Sequence, residues 1–352
     1  MIAFITNLPT PQKNYLFNLL HKELKGNILF FFSALKSEKR KGWEKYLRDI
    51  HFPYEVIENK TFINPLSKDF ATISIIKKFP DFRKFKIVII SGGLNILEFS
   101  IAKRLLELKI PYIVWTESFN LTENVPIFLP IRYFFRKFLF KNAIAVVCGS
   151  NMSLKHVKSF GVRNAILNYS TFDIYKFDFH KVHKGSFLNI LFVGRLIERK
   201  RVFDILRALK NVENYKFDII GSGPLLEKLK KFSKENNLVV NFLGDIEYEE
   251  MPKIYKNYDI LILPSKNEVF GYVVIEAIMS SVVPIVSNQV GAKDFVRENF
   301  QIKVGDINSL REKILMLRDE NLRNELISYS KNLVLNYAKP EIWVKKFIDL
   351  IS

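Results

Sequence analysis

Short apolar runs alternate with helical patterns along most of this chain, and this alternation is the feature that most narrows the fold. In the first half, runs at residues 2–5, 27–32, 87–90 and 112–115 predict strands, with helical patterns between them. A helix that connects two strands of one sheet returns the chain to the end where the first strand began, so the strands become parallel. The sequence therefore predicts an α/β fold of the doubly wound, Rossmann-like type.

The same pattern restarts after residue 186, which predicts a second domain. Its strands are expected at residues 189–192, 216–220, 239–243, 260–263 and 284–286. The segment 168–186 has many polar residues and no sustained periodicity, so the domain boundary is expected there. We expect one domain at 1–170, completed by a terminal helix at 338–352 that crosses back to it, and a second domain at 171–337 that faces the first across a cleft.

Length and composition favour two globular domains. The chain has 352 residues, more than a single core usually supports, and its 48% hydrophobic and 26% charged residues exclude the disordered and fibrous classes. The only cysteine, Cys148, excludes an internal disulfide, and its place in an apolar run predicts a buried thiol in a reducing compartment. Neither a secretion signal nor a membrane-spanning run is recognisable, so we expect a cytoplasmic protein.

The net charge of +18 is concentrated in the first half of the chain. Residues 1–168 hold 26 Lys and Arg against 12 Asp and Glu, a balance of +14, which leaves +4 for the remainder. Such an excess favours anionic partners, and the candidates are phosphates, an acidic lipid surface and nucleic acid. A lysine-rich bias on solvated faces is the alternative explanation.

The stretch from Leu261 to Val290 contains the strongest candidate for a binding site. It reads as strand, loop, helix and strand, with the helix opening near Phe270. Ligands of α/β sheets bind at such a loop, because the first N–H groups of the following helix are unpaired and partly positive. We expect the N–H groups of Gly271, Tyr272 and Val273 to receive phosphate oxygens, with Gly271 allowing a close approach.

Two carboxylates, Glu268 and Glu276, bracket this helix start. A carboxylate can accept hydrogen bonds from two neighbouring hydroxyls, so a ribose or a hexose suits each of them. Taken singly, Glu268 could be an acid favoured by the helix dipole, and Glu276 could belong to a solvated helix face. The pair with a glycine between them favours a sugar site.

Cations follow the strand predicted at 189–192. Gly194 and Arg195 come at its end, and Lys200 lies about one and a third helical turns further on. A planar arginine fork and a lysine point charge suit a diphosphate, and two solvated cations in a basic run are the alternative. Gly221 and Gly223 follow the next strand, in a pattern too incomplete to indicate a dinucleotide site alone.

Together these motifs resemble the nucleotide-sugar half of a GT-B glycosyltransferase of the retaining family 4, or group 1, kind. The similarity covers about Gly185 to Asp306. It rests on these motifs, in order: Gly194-Arg195-x4-Lys200, Gly221-Ser222-Gly223-Pro224, Phe242-Leu243-Gly244, Glu268-x-Phe270-Gly271-x4-Glu276 and Pro284-Ile285-Val286. The resemblance implies two Rossmann-like domains and a nucleotide diphosphate sugar as the donor.

The resemblance also implies roles for individual residues. Arg195 and Lys200 would hold the donor diphosphate. Glu276 would bind the ribose, and Glu268 would bind the transferred sugar. The donor base would lie near Gly221 to Pro224 and Phe242 to Gly244, which include Gly223 and Leu243.

Two positions depart from the family pattern. Many relatives carry a histidine after the strand predicted at 112–115, where this chain has Glu117, which either takes that place near the sugar or is a structural acid. Arg201 stands where a glycine usually follows the lysine. No Asp-x-Asp pair or histidine cluster predicts a metal, so we expect a metal-independent enzyme that needs no cofactor besides the donor.

The segment 126–142 mixes aromatic and basic residues at helical spacing. This pattern is typical of a helix that lies on an anionic bilayer, and a core-packing helix with a solvated basic face is the alternative. No strand platform or groove-reading helix predicts nucleic acid as a partner. We therefore expect a peripheral protein on the inner face of the cytoplasmic membrane.

The expected activity is transfer of a hexosyl group, with retention, from a nucleotide diphosphate sugar to a glycan or lipid-linked acceptor in cell-envelope polysaccharide or glycolipid synthesis. UDP is the expected carrier of the sugar. Inverting transfer, epimerisation and phosphorolysis stay open, because the same fold supports them. A non-catalytic membrane or nucleic-acid adaptor is the alternative from another class.

Overall fold

The computed structural model describes residues 1–35, 43–63, 72–91, 96–118, 129–181 and 184–352. The chain divides into two compact units, Met1–Phe172 together with Pro340–Ser352, and Asp173–Lys339. Each unit contains one large parallel sheet with helices between its strands. The prediction of an α/β protein with two Rossmann-like parallel sheets is confirmed.

The amino-terminal unit has nine strands within the described residues: β1 (Ile2–Thr6), β2 (Ile28–Phe32), β3 (Tyr54–Val56), β4 (Asn59–Ile63), β5 (Thr72–Ile76), β6 (Ile87–Ser91), β7 (Tyr112–Thr116), β8 (Ala145–Cys148) and β9 (Ala165–Leu167). Seven of them form a parallel sheet in the order β3-β2-β1-β6-β7-β8-β9, and β4 and β5 form a separate antiparallel hairpin. Its first helices are α1 (Pro11–Glu23), α2 (Ile96–Glu107), α3 (Leu129–Asn142) and α4 (Asn151–Lys158).

The carboxyl-terminal unit has six parallel strands: β10 (Leu188–Val193), β11 (Tyr215–Ile220), β12 (Val240–Gly244), β13 (Ile260–Leu263), β14 (Val283–Ser287) and β15 (Gln301–Ile302). They lie in the order β12-β11-β10-β13-β14-β15. The helices are α5 (Val202–Ala208), α6 (Leu226–Glu235), α7 (Met251–Tyr255), α8 (Tyr272–Met279), α9 (Ile307–Met316) and α10 (Glu320–Tyr337). Among the described residues, no helix has both the length and the apolar character that crossing a bilayer requires.

The terminal helix α11 (Pro340–Ile351) is part of the amino-terminal unit. Its side chains join the core on one face of that sheet, where the ring centroids of Trp343 and Trp115 lie 5.2 Å apart. The amide of Asn168 donates to the backbone carbonyl of Trp343 over 3.1 Å, which ties the helix to the loop after β9. The sheet is covered on both faces, and this explains why its central strands are apolar at successive positions.

Three short features are not predicted by periodicity. They are the hairpin of β4 and β5, the half-buried β9 and the two-residue β15. β9 and β15 have three and two residues and are held by their neighbours in the sheet, so their own residues carry little signal.

Candidate active site

The predicted donor-site residues converge at one point of the carboxyl-terminal sheet, where β10 and β13 pair side by side. After β10 the chain moves outward through β11 and β12, and it then returns to β13 on the other side of β10. The strand order therefore reverses between β10 and β13, and open α/β sheets bind ligands at the carboxyl ends of the strands beside such a reversal.

The loop after β10 carries the predicted cations. Arg195 is exposed, and among the described residues its guanidinium has no hydrogen-bond or ion-pair partner. Lys200 ends a short 3₁₀ turn, Glu198–Lys200, and is only 8% exposed. The interpretation of both cations as solvated is therefore wrong for Lys200. One cation is free to meet a ligand, and the other is held inside the site.

Lys200 is held by the first of the two predicted acids. Its ammonium donates to Oε2 of Glu268, and the guanidinium of Arg199 lies 3.6 Å from the same oxygen. Burial alone would raise the pKa of the Glu268 carboxyl, but the charges of Lys200 and Arg199 outweigh it and the pKa lies below its ordinary value. Glu268 is therefore ionised at neutral pH and is a weak base.

The backbone of Glu268 is held by the loop after β14. Its N–H donates to the carbonyl of Gln289 over 3.0 Å, and its carbonyl accepts from Gly291 N–H over 3.0 Å. A Cβ on Gly291 would lie 2.3 Å from the carbonyl oxygen of Val269, so only glycine permits this approach. Sequence reasoning does not find Gly291, although a glycine soon after a strand end is a signal of close backbone packing.

Helix α8 starts at the same end of the sheet, after the loop that follows β13. Gly271 is its N-cap residue, with a left-handed φ of 92° and no side chain to cap the first turn. A Cβ there would lie 3.1 Å from the Val290 side chain and 3.3 Å from Cγ of Glu268. Tyr272 opens the helix and Val273 follows it, while the Phe270 ring is buried before the cap. The positive end of the α8 dipole thus lies beside Glu268, the carboxylate that Lys200 contacts.

Glu276 lies on the buried face of α8, and only 4% of it is exposed. The hydroxyl of Tyr255 in α7 donates to its Oε2 over 2.9 Å. Burial raises the pKa of the Glu276 carboxyl to about 7, and the Tyr255 hydrogen bond opposes this rise only in part. The interpretation of Glu276 as part of a solvated helix face is wrong, and the partner Tyr255 is not apparent from sequence spacing.

The loop after β11 contacts both the loop that follows β10 and the end of β12. Gly221 has a left-handed φ of 125°, and a Cβ on it would lie 2.1 Å from the carbonyl oxygen of Gly194. Its N–H donates to the carbonyl of Gly244 over 2.7 Å, so three strand ends meet through glycines. Gly223 packs against the backbone of Leu196, in the loop that follows β10. Leu243, at the end of β12, is 44% exposed.

Glu117 belongs to the other unit and follows β7. Its carboxylate accepts a hydrogen bond from the buried hydroxyl of Ser170. A Cβ on Gly149 would lie 2.3 Å from that hydroxyl and 3.0 Å from Cγ of Glu117, so the contact depends on a glycine. The placement of Glu117 near a sugar stays a prediction.

Arg201 shows how the loop keeps its course without the glycine that relatives carry. Its φ is 55°, in the left-handed region where a glycine would be unstrained, and its guanidinium pairs with the buried Asp204. We expect Arg201→Gly to be more stable than Arg201→Ala by about 1 kcal/mol, because both variants lose the ion pair but only alanine keeps the left-handed strain. Urea unfolding of the two variants checks this, and equal midpoints would contradict it.

Comparison with known proteins identifies the carboxyl-terminal unit. Residues 174–333 match the family model for glycosyl transferases group 1. An uncharacterized glycosyltransferase of Methanocaldococcus jannaschii is 28% identical over 223 residues, which are 61% of this chain and 60% of the relative. The Campylobacter jejuni GalNAc-α-(1→4)-GalNAc-α-(1→3)-diNAcBac-PP-undecaprenol α-1,4-N-acetyl-D-galactosaminyltransferase is 35% identical over 175 residues, 46% of this chain and 48% of the relative.

The whole chain also has a structural counterpart. The Anabaena HepE protein in complex with UDP superposes with a TM-score of 0.78 and 14% sequence identity, over 100% of this chain and 99% of that one. At this identity the likeness concerns the fold, a GT-B fold with two Rossmann-like domains. The range of the family match contains Arg195, Lys200, Glu268 and Glu276. Residues 174–333 are a glycosyl transferases group 1 domain within a GT-B fold.

Proposed function

We propose that this protein is a retaining glycosyltransferase that moves a hexosyl group from a UDP-sugar to a glycan or lipid-linked acceptor in polysaccharide or glycolipid synthesis. The observation that carries the proposal is the convergence of Arg195, Lys200, Glu268 and the α8 N-terminus at the carboxyl ends of β10 and β13. The family match and the glycosyltransferases among the similar proteins support it.

The chemistry follows from the charges of these groups. Cleavage of a glycosidic bond to a nucleoside diphosphate leaves negative charge on the diphosphate. Arg195, Lys200 and the first N–H groups of α8 are cationic or positively polarised donors, and they stabilise that charge as it develops. This set supplies the neutralisation, so the proposed reaction is metal-independent.

The two acids suit hydroxyl groups in different ways. Glu268 is an ionised, weakly basic carboxylate, which fits acceptance of hydrogen bonds from the transferred sugar better than removal of a proton. Glu276 has one oxygen held by Tyr255, and we assign its other oxygen to the ribose hydroxyls. Retention without a protein nucleophile is proposed on this basis, with the acceptor attacking from the face that the diphosphate leaves.

UDP is the proposed donor carrier because HepE, which shares the fold, has been crystallised with UDP and with UDP-glucose. The test is a thermal-shift screen of UDP-, GDP- and ADP-sugars, followed by NMR of the anomeric proton of the product. A rise in Tm with a UDP-sugar and a product of unchanged anomeric configuration are expected. The proposal fails if no nucleotide sugar raises Tm, if the product is inverted, or if only an isomerised donor forms. Full activity in EDTA is expected, and its loss would overturn the metal-independent scheme.

The proposed acceptor lies at an anionic membrane surface, and α3 supports this. Its inner face is buried, whereas Ile131, Tyr133 and Phe134 are 48%, 42% and 56% exposed beside the exposed Lys137. The helix thus packs on the core and also presents aromatic and basic groups outward. Residues 126–128 of the predicted segment lie outside the described residues.

We expect Ile131→Ser with Phe134→Ser to weaken binding to phosphatidylglycerol vesicles by more than about tenfold, because each buried apolar side chain contributes about 1.5–3 kcal/mol. Vesicle flotation measures the effect, with Phe187→Ser as the control since this 51% exposed aromatic lies in the other unit. Equal flotation of the double variant and the control would exclude α3 as the membrane contact.

A further inference from the structure

If the proposed function holds, Lys200 must bind two anionic groups, the Glu268 carboxylate and the donor diphosphate. In the structure its ammonium donates to Glu268, and the proposed reaction brings a diphosphate to the same ammonium. Lys200 is compact and can turn toward the phosphate, since an ammonium binds as a point charge. Glu268 would then lose its strongest neighbour at the moment when it must hold the sugar.

Arg199 contacts the same carboxylate by an independent route. Nη1 of its guanidinium donates to the backbone carbonyl of Asn267 over 2.8 Å and lies 3.6 Å from Oε2 of Glu268. Its own carbonyl accepts from the N–H of Lys266 over 2.7 Å. Arg199 therefore joins the turn after β10 to the loop before α8 through both its backbone and its side chain, and none of these contacts involves Lys200.

We propose that Arg199 is a positioning residue, which keeps Glu268 in place and ionised while Lys200 engages the donor diphosphate. The proposal rests on the proposed function and assigns a role to a residue outside the predicted donor-site set. A lysine at this position would supply the charge, but its flexible stem would hold the contacts with Asn267 and Glu268 less rigidly than the planar guanidinium does.

The physical basis is the charge balance around a half-buried carboxylate. Only 16% of the Glu268 side chain is exposed, against 32% of that of Arg199, so the pair is poorly screened by water. Among the described residues, Lys200 and Arg199 are the two cations that lower the pKa of Glu268 against the effect of burial. With Lys200 drawn to phosphate, Arg199 is the cation that remains.

The kinetic test compares Arg199→Ala and Arg199→Lys with Arg163→Ala, an exposed arginine of the other unit. For Arg199→Ala we expect kcat to fall roughly 10- to 100-fold, since a displaced group loses its alignment with the sugar. The Kd of UDP alone, which carries no sugar, should change by less than about twofold. In the pH profile of kcat, the acidic limb should move to higher pH in Arg199→Ala. In Arg199→Lys it should lie at the wild-type pH again, although kcat is only partly recovered.

Three results would overturn the proposal: an unchanged kcat, an equal loss of UDP affinity and kcat, or a fall in kcat with no change in the pH profile. The second would make Arg199 a phosphate ligand, and the third would make it a merely structural residue. A readout without turnover separates this proposal from the proposed function. In ¹³C NMR titrations of the glutamate carboxyl carbons, assigned with Glu268→Gln, Arg199→Ala should raise the pKa of Glu268 further in a Lys200→Met background. An unchanged pKa there refutes the role of Arg199 even if the protein transfers no sugar.

Discussion

Lys200→Met is expected to lower kcat/KM for the donor by roughly 100- to 1,000-fold, the usual effect of removing one preorganised donor to a developing negative charge. Methionine fills the space of the lysine stem but carries no charge. Lys200 is 8% exposed, so water cannot easily replace its ammonium at the diphosphate. The variant also removes the closest cation from Glu268, whose pKa should rise toward its ordinary value. Steady-state kinetics with a UDP-sugar measure the loss.

The matched control is Lys228→Met, which changes an exposed lysine on α6. It should leave kcat/KM within about twofold of wild type, because surface charges remote from a site are largely screened. The stability of Lys200→Met should fall by about 1–3 kcal/mol, since Glu268 loses a partner in a half-buried pair but keeps Arg199. Circular dichroism must show a folded variant at the assay temperature. If Lys200→Met is folded and has the wild-type kcat/KM, Lys200 is not part of the donor site.

Glu276→Gln is expected to move stability and donor binding in opposite directions. In the folded protein burial raises the pKa of Glu276 to about 7 from an ordinary value of 4.5, so ionising this carboxyl costs folding free energy. The stability linked to its proton is fully present below pH 4.5 and is lost as the pH rises to 7. The neutral glutamine avoids this loss. We therefore expect Glu276→Gln to be more stable than wild type at pH 8, by at most about 3 kcal/mol.

The same substitution should weaken donor binding at pH 8 by roughly 10- to 100-fold, because an amide has one acceptor oxygen and no charge for the ribose hydroxyls. Wild type should bind UDP-glucose more tightly as the pH rises through 7, and Glu276→Gln should lack this dependence. Thermal unfolding at pH 5 and pH 8 and calorimetric titration with UDP-glucose measure the two effects.

The control for Glu276→Gln is Glu312→Gln, which alters an exposed acid on α9 and should change neither quantity. At pH 5 the stability gain of Glu276→Gln should fall to under about 1 kcal/mol, since the folded wild type is then protonated at this position. If Glu276→Gln were less stable than wild type at pH 8, the hydrogen bond from Tyr255 to the carboxylate would contribute more stability than burial of the charge costs. An unchanged affinity of Glu276→Gln for UDP-glucose would show that Glu276 does not bind the ribose.

Most residues of the proposed donor site could be assigned to one end of the sheet from sequence, because they stand at strand ends. A buried parallel strand reads as an apolar run, and the polar residues directly after it lie at the carboxyl end of the sheet. Arg195, Glu268 and Gly271 are located by this argument. The same argument fails for β9 and β15, whose few residues depend on their neighbours for pairing.

The partners of those residues could not be predicted. Lys200 and Glu268 are 68 positions apart, and Tyr255 and Glu276 are 21 apart, so no local spacing connects them. Their contacts depend on the register of β10 against β13 and on the packing of α7 on α8. In the sequence, Arg199 is one of several cations in a basic run. Only the folded structure shows that it contacts Glu268.

By itself, the sequence determined the α/β class, the strand ends that carry polar groups and the chemical types of the candidate site, because periodicity reports which residues are buried along each strand and helix. Only the tertiary structure decided which charges meet. It buried Glu276 against Tyr255 and left Arg195 in solvent, and it placed Lys200 and Arg199 on Glu268. The physical reason is that the pKa and the binding role of a carboxylate depend on burial and on nearby charges, and these come from elements distant in the chain.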